Sequence, residues 1–206
     1  MKEIKAGEFR QIYIRMLQQE KFVESIIRVS EEEMLDLDLK NDLDENIGVL
    51  EQGDVDEITK NHFKDPKWLC DNVQIVERRF AYAVKKVIEK DESQMLNLET
   101  AIYELGQTWE PDYKDLPVRH TYNLIRNLLL DGVASEEINE IISENDDEIV
   151  WKRKRSTTQK YWTYLDIDFN KYFLPLRRAF IQGFIEKTDI EFKKLDDTVC
   201  VLSKRR

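Results

Sequence analysis

Four residues have the types and spacing of a metal-dependent nuclease centre: Asp166 and Asp168 before a helix, and Glu191 and Lys193 on a strand. Such chemistry needs carboxylates and a lysine converging at a sheet edge, where they hold a metal and activate water. Alternation along a strand puts Glu191 and Lys193 on one face, which suits a catalytic pair or an exposed ion pair. No sheet large enough to frame that centre is visible, and Asp166 and Asp168 also read as helix caps. A calcium loop can be tested from Asp42. Asp42, Asp44 and Asn46 fill positions one, three and five, but Ile47 stands where the turn needs Gly and Gly53 where a bidentate Glu is needed. The two histidines, His62 and His120, lie at no metal-ligand spacing from a Cys or Glu. There is no Gly-x-Ser-x-Gly elbow, no glycine-rich phosphate loop and no dinucleotide fingerprint. No catalytic residue, metal or cofactor is therefore assigned, and the reading leans away from an enzyme.

A different chemistry is offered by Lys152, Arg153, Lys154 and Arg155, followed by Tyr161, Trp162 and Tyr164, then Arg177 and Arg178, and the tail Lys204, Arg205 and Arg206. Cations beside aromatics suit nucleic acid, because cations hold phosphates while aromatic faces stack on bases. The competing reading makes the aromatics core and lets the cations dock on the chain's own acidic body or on an acidic partner.

Charge sharpens that choice. Of the 206 residues, Met1–Val150 carry 18 Lys and Arg against 35 Asp and Glu, a net −17, whereas Trp151–Arg206 carry 14 against 7, a net +7. An acidic body repels a phosphate backbone, so any nucleic-acid contact falls to the C-terminal part. The charged fraction is 36%, yet four Trp, nine Phe and eight Tyr argue for a folded chain. Cys70 and Cys200 are expected as buried free thiols. No apolar run approaches a membrane span and the first residues lack an apolar signal core, so a cytoplasmic protein with no membrane partner is expected.

Six glycines and four prolines favour long helices over a barrel or sandwich. Phe9 to Ile27 recur at helical intervals, and Glu31–Asp56 reads as a helix tail and then a loop. Asp54 and Glu57 fit a capping box, and Asp65-Pro66 opens the strongest helix, running to about Glu89. A further helix carries Met95 to Leu105 with Gly106 as its C-cap, Pro117 opens another closed by Gly132, and a short one runs from Ser135 to Ile142. A helix over about 170–187 leads to two β-prone runs flanking Asp196-Asp197, a hairpin. The expected fold is mainly α: a bundle-like acidic body over 1–148, and a basic, winged-helix-like helix-plus-hairpin module over 149–206 that can pack with it as one domain. The function ranked first is a non-catalytic protein–protein interaction or regulatory protein, with another protein as partner and oligomers allowed. A nucleic-acid-binding accessory subunit using the C-terminal module comes second, and a metal-dependent nuclease third.

Overall fold

The computed structural model describes residues 5–112, 114–131 and 138–205. Among them are α1 (Ala6–Glu32), α2 (Leu39–Asn46), α3 (Val55–His62), α4 (Pro66–Lys90), α5 (Met95–Gln107), α6 (Val118–Leu128), β1 (Asn139–Glu144), β2 (Glu148–Arg153), α7 (Gln159–Tyr164), α8 (Leu174–Phe184), β3 (Ile190–Lys194) and β4 (Val199–Lys204). The fold is mainly α with a small antiparallel sheet ordered β1-β2-β4-β3 near the C-terminus.

Local signals explain most boundaries. The Asp54 carboxylate accepts from Glu57 N at 2.9 Å and starts α3, and Asp65 accepts from Lys67 N and Trp68 N ahead of Pro66. The hairpin turns at Asp196, whose carboxylate accepts from Thr198 N and Val199 N, so the β3–β4 connection is closed by one short side chain.

Four expectations are corrected. The acidic stretch holds a helix, α2, because Leu39 and Leu43 lie four residues apart and both bury against the body. Asn139 to Ile142 belong to strand β1, paired with β2, and not to a helix; the expected start of that helix and its neighbour Gly132 lie outside the described residues. The C-terminal hairpin forms as expected from β3 and β4, and it joins β1 and β2 in one four-stranded sheet. Cys70 is exposed, while Cys200 is half-buried.

Gly106 is the fourth correction. It lies inside α5, where a Cβ would come within 2.3 Å of Phe180 O, and a Cβ on Gly183 of α8 would come within 2.0 Å of Tyr103 O. The two glycines let the α5 and α8 backbones touch, which seats α8 and the side chains it carries.

The main core crosses the expected division of the chain. Phe22, Phe80, Val84 and Ile102 from before residue 148 share one apolar cluster with Trp151, Trp162, Phe180 and Leu202 from after it. A smaller cluster, with Phe9, Tyr13, Met16 and Leu69, closes the end of the body formed by α1, α3 and the start of α4.

Candidate functional site

The sequence-predicted cations separate into two sets according to strand alternation. In β2, Ile149, Trp151 and Arg153 share the inner face, so Arg153 follows Trp151 inward while Lys152 points to the other side. Arg153 Nη2 donates to Asp131 Oδ1 at 2.7 Å, and Arg177 of α8 donates to both oxygens of the same carboxylate, its Nη1 at 3.0 Å from Oδ1. The Asp131 side chain is 3% exposed. One buried carboxylate thus organises two arginines that lie 24 residues apart in sequence.

Beside this triad sits Glu77 of α4, fully buried, accepting from the Thr158 hydroxyl at 2.9 Å. Burial pushes its carboxyl up to about 8, even though Thr158 and the two arginines pull the other way. Asp131 behaves oppositely. Burial alone would raise it, but Arg153 and Arg177 more than offset that and bring it down to about 2. At neutral pH the cluster therefore holds two guanidiniums, one carboxylate and one neutral carboxylic acid, a surplus of one positive charge. Arg126 adds to the positive field at Asp131.

Arg177 faces two hollows. One is an internal cavity of about 10 Å³ beside Gln19, Phe22, Phe80, Thr158 and Phe173, at the threshold for one water. The other is a cleft between α8 and the inner face of the sheet, about 40 Å³ in volume and open to solvent at its mouth, where Arg153, Arg177, Arg178 and Lys194 surround Trp151, Ile181 and Phe192. Cys200 lies at the cleft. Burial pushes its thiol up, while Arg177, Lys194 and Arg153 pull it down less strongly.

The remaining predicted residues are dispersed. Trp162 is a core residue, edge-on to Phe80 at 5.5 Å and to Phe173 at 5.4 Å, and Tyr161 is half-buried. Lys154 pairs with Glu140, Arg178 reaches Glu99 at 3.8 Å and Lys204 reaches Asp115 at 3.6 Å. Arg205 Nε donates to Ile190 O, Lys152 and Arg155 are exposed, and Arg206 lies outside the described residues. Of the nuclease set, Asp168 caps the π-helical turn Phe169–Phe173 through Asn170 N and Lys171 N. Asp166 and Asp168 line one hollow and Glu191 another, and Glu191 pairs with Lys193. Among the described residues no group of three His, Cys, Asp or Glu is placed to hold a metal ion, and no helix is long and apolar enough to cross a membrane.

Asp131 and Glu77 escaped the sequence reading. Glu77 did leave a signal, since it falls on the stripe of α4 that also carries Val73, Phe80 and Val84, where a carboxylate must be paired or neutral. Asp131 left none. Comparison with known protein families, characterised proteins and solved structures found no match.

Proposed function

We propose that this chain is a non-catalytic interaction protein that presents an acidic surface to a basic protein partner. The reading is carried by the end of α1 and the connector to α2. Glu31–Asp56 hold eleven carboxylates against the single Lys40, a net −10 equal to that of the whole chain. Asp42, Asp44 and Asp56 pair with Lys86, Arg79 and Arg10. Glu31, Glu32, Glu33 and Asp36 are exposed and make no ion pair among the described residues.

The local structure gains nothing from this arrangement. Three glutamates crowd the C-terminal end of α1, where the helix dipole favours cations and the last turn supplies none. The helix closes in a Schellman motif, with Met34 N donating to Glu31 O and Leu35 N to Ser30 O. Its left-handed position, usually Gly, is Met34 at φ 49°, with a side chain 88% exposed. Asp36, at φ 54°, is also left-handed. An exposed apolar side chain ringed by unpaired carboxylates fits a partner offering an apolar socket rimmed by cations.

The test is a mass measurement of the purified complex, made with the natural sequence and with Glu31, Glu32 and Glu33 changed to Lys. A stoichiometric basic partner lost in the variant is expected. Absence of any partner, together with turnover of a substrate by the pure chain, overturns the reading.

A second reading, nucleic-acid binding, is favoured by Lys152 and Lys193, exposed on the outer face of the sheet on either side of Val199 and Val201. It calls for a salt-dependent DNA or RNA shift that disappears when Lys152 and Lys193 are changed to Glu.

A further inference from the structure

The cleft between α8 and the sheet differs in the sign of its lining from two other hollows among the described residues. Arg153, Arg177 and Arg178 face it, together with Lys194, which pairs with the lining's single carboxylate Asp197 at 2.7 Å. Two wider hollows carry the opposite bias, with Glu186 and Glu191 against Arg205 in one, and Asp166 and Asp168 in the other. The floor is apolar, formed by Trp151, Phe192, Ile181 and Leu174, and the Trp151 and Phe192 rings are tilted toward one another at 6.1 Å.

We propose that this cleft binds a small organic anion, a carboxylate or phosphate carried on an apolar body about the size of one aromatic ring. Two features beyond charge support it. Arg153 and Arg177 are held from behind by Asp131, so their side-chain entropy is already lost before a ligand arrives, the usual means by which a binding site is preorganised. Asp131 neutralises only one of them, and the next buried carboxyl, Glu77, is neutral at pH 7, so a surplus positive charge remains beside an apolar floor. At the rim, Arg178 is only loosely engaged by Glu99, at 3.8 Å, and is free to turn toward a ligand. The cleft is short, and its cations surround an apolar floor instead of tracking outward in a row, which suits a compact ligand better than a strand of nucleic acid.

The assignment is independent of the acidic surface on α1 and stands or falls separately. Its test uses phenyl phosphate, inorganic phosphate and a single-stranded oligonucleotide, titrated calorimetrically against the intact protein. Phenyl phosphate is expected to bind with a Kd below ~1 mM, at least about tenfold tighter than inorganic phosphate, because only the former buries a ring. The double variant Arg178→Ala with Lys194→Ala should weaken phenyl phosphate by about tenfold or more. The unmodified chain supplies an independent readout. Saturating phenyl phosphate should slow alkylation of Cys200 by iodoacetamide while leaving the exposed Cys70 unaffected. Absence of binding at ~10 mM, equal affinity for inorganic phosphate, an unprotected Cys200, or displacement of phenyl phosphate by the oligonucleotide would each overturn the proposal.

Discussion

Among the described residues are two buried ion clusters of inverted charge. In the helical body, Arg79 of α4 sits between two carboxylates, its Nε donating to Glu20 at 3.0 Å and its Nη1 to Asp44 at 2.8 Å and to Gly48 O at 2.6 Å. Where the body meets the sheet, one carboxylate, Asp131, sits between two guanidiniums, Arg153 and Arg177. Each half of the chain thus surrounds a lone opposite charge with its own excess sign. The difference lies in what the surplus charge can do. A carboxylate left over can take up a proton or reach water, as Asp44 does with 34% of its side chain exposed. A guanidinium cannot lose its proton in a protein, so the surplus at Asp131 must be borne, screened through the cleft, or met by an anion.

The sharpest way to break this comparison is to remove the two central residues. Asp131→Ala strands two buried arginines and should cost about 3–5 kcal/mol in urea unfolding at pH 7. Arg79→Met should cost less, about 2–3 kcal/mol, because Glu20, whose carboxyl burial already pushes up, can protonate. The Arg79→Met penalty should also shrink at pH 5, whereas that of Asp131→Ala should persist. Equal costs with the same pH profile would refute the asymmetry.

Smaller effects probe how the second cluster is held. Gly183→Ala drives a methyl into the Tyr103 carbonyl and should destabilise by about 1–3 kcal/mol by shifting α8, which carries Arg177. Glu77 gives a pH signature. Its folded value of about 8 lies above the unfolded value of 4.5, so between those limits the native state holds the extra proton. Stability therefore falls as pH rises through that window. Glu77→Gln, which cannot ionise, should differ least from the natural protein near pH 5 and become progressively more stable than it as pH rises toward 9 in thermal or urea unfolding. The smallest effect belongs to the acidic end of the body. Met34→Gly relieves a left-handed backbone and should stabilise by about 0.5–1 kcal/mol while weakening partner binding. A Met34→Gly variant that binds its partner unchanged would remove Met34 from the proposed surface.

Local chemistry by itself determined the mainly helical fold, the capped starts at Asp54 and Asp65, the strong periodicity of α4 and the C-terminal hairpin, because caps and apolar spacing act within a few residues of chain. It also determined that a basic segment follows an acidic one. Only the tertiary structure decided which cations the protein keeps for itself. Arg153 and Lys152 are neighbours of like charge, and their fates diverge because β2 pairs with β4 in a register that turns one inward and the other out. That register rests on contacts about 50 residues apart, and so does the choice of Asp131 as the anion for Arg177. Gly106 likewise has the spacing of a helix cap, and only the approach of α8 makes it a contact point. Long-range packing assigns these roles because a buried charge is settled by whatever partner the fold brings within hydrogen-bonding reach, which no local pattern specifies.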